Sequence, residues 1–83
     1  MMTLLREEEA WVHDVRAHLM SLANRPGTPL GDVAWLVARC DDTLSRYQGD
    51  WQRASLRQLV KDVAAFDDSF PGLLPSKLVR LPS

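Results

Sequence analysis

Cys40, His13 and His18 are the only soft metal ligands in this chain of 83 residues. A lone thiol excludes an internal disulfide, and three such groups fall short of a structural zinc site. The four glycines are scattered, so no run of them can cradle a phosphate. No apolar run approaches the roughly 20 residues that a membrane span requires. Ten basic residues against eleven acidic ones leave a net charge of −1. The basic excess of a dedicated nucleic-acid binder is therefore missing. The N-terminus reads Met-Met-Thr-Leu-Leu and then turns acidic at Glu7, Glu8 and Glu9. It lacks the positive start and long apolar centre of a signal peptide, so a cytoplasmic location is expected, with no cofactor and no membrane partner.

What remains is a composition that folds. Apolar residues are 46% and charged ones 25%, outside the range of a disordered tail. The length suits a single domain over 1–83, near the lower end of what one core supports. Ordering costs about 1.5 kcal/mol per residue and nearly cancels the burial available. Support from a protein partner or a second copy is expected.

Hydrophobic spacing predicts an all-α fold. Leu30, Val33, Val37, Cys40, Leu44 and Tyr47 recur every three or four residues, the period of an amphipathic helix. That helix is expected over 29–48, with Thr28 capping it, Pro29 at its first position and Gly49 ending it. A first helix over 3–24 carries Leu5, Val12, Val15, Leu19 and Leu22 on one face. Leu4 and Trp11 flank that face, Glu8 is its only polar intruder, and Thr3 is the expected cap. Asn24-Arg25-Pro26-Gly27 stops it. A third helix over 51–69, capped by Asp50, repeats the spacing with Leu56, Leu59, Val63, Phe66 and Phe70. Short connections make a three-helix up-down-up bundle the economical arrangement. The short C-terminal tail, 73–83, fits either one helical turn or an extended strand-like run, and packs on the bundle or binds a partner.

No catalytic set assembles along this pattern. Asp41-Asp42 and Asp67-Asp68 are adjacent pairs, and helical neighbours point about 100° apart. Neither has a histidine at helical spacing, and no serine has an activating neighbour. The chain is expected to be a non-catalytic protein that regulates or tethers a larger protein by contact. Trp35 falls almost opposite Val37, among Ala38, Arg39, Asp42 and Arg46, and tryptophan and arginine dominate binding hot spots. Trp35 and Arg39 are the first candidate contacts. Ala10, His13, Ala17 and Met20 form a second row on the first helix. Small residues and an adaptable methionine there would suit a homodimer seam or a docking groove. Trp11 and Trp51, at stripe edges, are expected at the rim of the core.

Two other readings belong to different classes. His13-Asp14-Val15-Arg16-Ala17-His18, followed by Leu19, Ser21 and Leu22, resembles the phospho-acceptor box of sensor histidine kinases of the nitrate-sensor type. The resemblance implies that His13 accepts a phosphoryl group and that Asp14 orients or deprotonates it. It covers only this segment, and Pro26-Gly27 ends the helix where that family's helix continues. Arg53, Arg57 and Lys61 recur every four residues as a basic ridge that could meet nucleic-acid phosphates weakly.

Overall fold

A computed structural model describes residues 4–45 and 49–82. Helix α1 spans Arg6–Leu22, α2 Leu30–Ser45, α3 Gly49–Ser69, and a single turn, α4, Ser76–Val79. The all-α bundle expected from the spacing is the observed fold. Glu8 near the start of α1 meets Arg53 near the start of α3, so these two helices run the same way. Arg16 on α1 pairs with Asp41 on α2, and Arg39 on α2 pairs with Asp62 on α3. Helix α2 therefore runs between them in the opposite direction.

The helix ends differ in detail from the spacing. Helix α1 begins at Arg6, where the Leu5 amide donates to Glu8 Oε1 at 2.8 Å. Glu8 thus closes the helix start that Thr3 was expected to cap; Thr3 itself lies outside the described residues. Leu5 is exposed at this position and Leu4 is buried in its place. Pro29 precedes α2 rather than opening it, and its carbonyl accepts from the Val33 amide at 3.0 Å. Gly49 belongs to α3 as its first residue, which places Asp50 inside the first turn instead of before it. Gly27 and Gly72 take φ of +80° and +88°, where a side chain is disfavoured, at the turns after α1 and α3.

The core collects Val12, Val15, Leu19 and Leu22 of α1 with Leu56, Leu59, Val63 and Phe66 of α3. Helix α2 contributes Val33, Leu36, Cys40 and Thr43. That arc is rotated from the predicted stripe. Leu30 is 58% exposed, Val37 and Leu44 are half-buried, and Leu36 at 1% takes the centre. Tyr47 lies outside the described residues. The physical reason is that α2 has a helix on each side, so its buried arc faces the gap between α1 and α3. Thr43 enters this arc because its hydroxyl is satisfied. It donates to the Arg39 carbonyl at 3.0 Å and lies 2.7 Å from the Ser55 hydroxyl.

The tail packs on the bundle. After Pro71-Gly72 the chain reverses, and α4 rests against both α1 and α3. His18 Nε2 donates to the Leu73 carbonyl at 2.8 Å, and Trp11 Nε1 donates to the Leu78 carbonyl at 3.0 Å. Residues 73–78 thus run back along α1, and Leu74 and Leu78 are buried. This covering makes Trp11 a core residue rather than a rim one. Among the described residues, no helix is long and apolar enough to cross a membrane.

Glu8, the polar intruder, is also accounted for. Arg53 Nη1 and Nη2 donate to its two carboxylate oxygens at 2.9 and 3.1 Å, a fork-on-fork pair. The hydrogen bond from Arg53 holds the Glu8 carboxyl below its ordinary range, outweighing the opposing effect of burial, and the Leu5 amide adds to the lowering. A depressed folded-state pKa means that this carboxylate stabilises the fold above its unfolded value. That contribution is lost as pH falls through the lower, folded value. Glu8→Gln is expected to lower the melting temperature at neutral pH and to narrow the gap from wild type on acidification. Thermal melts between neutral and acidic pH check this, and parallel curves would contradict it.

Candidate docking face

The three tryptophans divide sharply. Trp11 is buried under the tail, whereas Trp35 is 55% and Trp51 63% exposed. An indole is a large apolar surface that normally finds cover. Trp35 is exposed because it projects from α2 on the side of Arg39 and Asp42, away from the buried arc. Trp51, expected at the core rim, lies about 90° round α3 from the Leu59–Val63 seam at 100° per residue. It faces the α2 side and water. That angle was the available signal for it.

Both indoles border the outer groove between α2 and α3. One end of the groove is a cleft of ≈ 180 Å³, where Trp35 and Asp32 face Ala65, Phe66 and Phe70. The Phe66 and Phe70 rings pack against each other at a tilt of 49°, with centroids 5.2 Å apart, giving this end an aromatic floor. The other end is a cleft of ≈ 200 Å³, where Trp51, Ala54 and Gln58 face Arg39 and Asp42. Between the two stands a polar crossbar. Arg39 Nε donates to Asp62 Oδ2 at 3.3 Å, and Gln58 Nε2 donates to Asp62 Oδ1 at 3.0 Å. The Arg39 guanidinium also lies 5.9 Å from the Trp35 ring centroid, within cation–π range. Arg39 is thereby held beside Trp35.

The other candidates lie elsewhere. Ala10, His13, Ala17 and Met20 are all exposed, Met20 at 48%, on the face of α1 that points away from the core. They share neither helix nor face with Trp35 and Arg39. Asp14 is exposed beside His13. In the basic row, Arg53 is drawn inward onto Glu8, while Arg57 and Lys61 remain exposed. The row therefore presents fewer outward charges than its spacing suggested, because Glu8 claims the first of them.

Buried groups are chemically quiet. Cys40 is fully buried, and burial first, with the Asp41 charge second, pushes its thiol up to about 12. The thiolate that a nucleophile or metal ligand requires is thus not formed near neutrality. Gln52, missed by the pattern because it is polar, bridges elements: its amide donates to the Thr43 carbonyl at 3.2 Å and accepts from Leu4 at 3.2 Å. Among the described residues, no buried side-chain polar atom lacks a partner, and no group of three metal-binding side chains converges.

Comparison with family models, with curated proteins and with solved structures finds no match to this chain.

Proposed function

We propose that this chain is a non-catalytic cytoplasmic protein that regulates or tethers a larger protein by docking it on the α2/α3 face. The observation that carries this is the pair of exposed indoles, Trp35 and Trp51, bordering clefts on either side of Arg39. Binding energy concentrates in tryptophan and arginine side chains that a partner can desolvate. Here such residues stand in the open without being needed to close the core. Their surroundings add shape: each indole has a concave neighbour, and Arg39 is already held in place by Asp62 and the Trp35 ring. A preorganised contact loses less side-chain freedom on binding.

Trp35→Ala tests this directly. Its stability is expected to fall by no more than about 1 kcal/mol, the sum of an exposed substitution and one cation–π contact. Capture of the native partner by the tagged chain from its own cells is expected to drop by at least about 30-fold, the equivalent of a 2 kcal/mol hot spot. A stable variant that captures the same proteins as wild type would refute docking through this face.

A further inference from the structure

We propose that residues 73–82 are a displaceable strap, seated in a cleft between α1 and α3 that a partner segment of like chemistry enters when the strap swings out. That segment is a short helical turn with leucines at i and i+4. The surface lies apart from the α2/α3 face and does not depend on it. Its ligand chemistry is read from the segment already seated there. Leu74 and Leu78, four residues apart, are buried, while Ser76, Lys77 and Arg80 face water. The cleft holds the rest of the strap by its main chain: Trp11 Nε1 and His18 Nε2 donate to the Leu78 and Leu73 carbonyls. Every segment with two leucines at this spacing carries such carbonyls, so the cleft selects a pattern of anchors rather than one sequence.

Several features let the strap leave without dismantling the bundle. Among the described residues, no Cα of α1 lies within 8 Å of a Cα of α3, whereas α2 packs directly on both. The three helices therefore close through α2, and the strap lies along the seam between the other two. Among the described residues, no backbone–backbone hydrogen bond joins 73–82 to α1, α2 or α3. Lifting the strap thus orphans no helical peptide group. An open crevice of ≈ 580 Å³ also runs between Asp67 of α3 and Leu74, Ser76, Val79 and Arg80 of the strap. Protein interiors are close-packed, so a segment undercut in this way lies on the bundle rather than within it. The hinge is Phe70-Pro71-Gly72-Leu73, closed by the Leu73 amide donating to the Phe70 carbonyl at 3.4 Å. Proline at its second position and Gly72 at φ +88° in its third fit a type II turn. Glycine leaves that conformation readily, and a Cβ at Gly72 would meet no atom within 4 Å, so the hinge has room to move. The short connection holds the strap at an effective concentration of about millimolar, which a competing segment must overcome.

The test uses the full chain and a synthetic peptide of residues 73–82. Leu74→Asp combined with Leu78→Asp opens the strap and leaves the cleft unaltered. The indole N–H resonance of Trp11, assigned by its loss in Trp11→Phe, reports whether the cleft is filled. The opened variant is expected to keep a cooperative melt. It is expected to bind the peptide at least about tenfold more tightly than wild type, which must first displace its own strap. A peptide with both leucines replaced by aspartate is expected not to bind. In wild type, the Trp11 indole N–H is expected to be at least about tenfold less protected from hydrogen exchange than the Val15 and Leu59 amides, after correction for intrinsic rates. Loss of cooperative melting in the opened variant, or an indole N–H protected as fully as those amides, would make the tail part of the core and overturn the proposal. Equal peptide affinity for the two forms, or no binding to a folded opened variant, would overturn it as well.

Discussion

Leu36→Ala is expected to destabilise the fold by about 2–5 kcal/mol, whereas Leu30→Ala is expected to stay within about 0.5 kcal/mol of wild type. The two leucines belong to the same helix and differ almost wholly in burial, at 1% and 58% exposure. Truncating Leu36 removes apolar contact and leaves a cavity between α2 and the gap that α1 and α3 enclose. Truncating Leu30 removes a side chain that water already surrounds. For a domain of this length the larger loss approaches the whole stability available. Denaturant midpoints for the two variants, measured side by side, check the rotation of α2 directly. Equal effects, or a larger effect at Leu30, would mean that α2 presents a different arc to the core.

Trp11→Ala is expected to cost about 3–5 kcal/mol, the range for truncating a buried aromatic side chain. Trp11 fills the space beneath the returning tail, and its indole N–H holds the Leu78 carbonyl. Its loss therefore acts twice, through packing and through release of α4. Trp11→Phe separates the two: it keeps most of the apolar bulk and deletes the hydrogen bond, at about 1 kcal/mol. Protease sensitivity in the segment 73–82 should rise in both variants, and more in the alanine one. A tail that stays protected in Trp11→Ala would show that Leu74 and Leu78 alone secure it.

Much of this architecture was legible in the chain, and the gaps have definable causes. Helix α3 was read well because Leu56, Leu59, Val63 and Phe66 are separated from the polar face without ambiguity. Helix α2 carries apolar residues over a wide arc, so Leu30 and Val37 gave as good a stripe as Leu36. Which arc is buried depends on where α1 and α3 sit, and no single helix encodes that. Thr43 and Gln52 were invisible to hydrophobic spacing, since both are polar and part of what satisfies them in the interior, Ser55 for Thr43 and Leu4 for Gln52, comes from other elements. Glu8 was visible as an anomaly, but its solution, Arg53, lies on another helix. The tail could not be assigned because its two buried leucines also fit an extended run; the contacts with Trp11 and His18 decide it.

The candidate docking face was half legible. Trp35 stood out because charged and small residues share its side of α2, and it is exposed as that environment implied. Trp51 stands at the edge of the third stripe, an angle that suits either the rim of the core or open solvent, and it is 63% exposed. Asp62 directly follows Lys61 of the basic row, a place that would suit pairing on α3 itself. Instead it turns to α2 and clamps Arg39, a pairing that only the antiparallel approach of the two helices creates.

Collisional quenching by acrylamide, on three variants that each retain a single tryptophan, tests the central claim most directly. The other indoles are replaced by phenylalanine. The account predicts that Trp35 and Trp51 are quenched readily in the isolated native protein while Trp11 is protected until the fold is denatured. Protection of Trp35 and Trp51 to the level of Trp11 would contradict it, because the indoles offered to a partner would then already be covered.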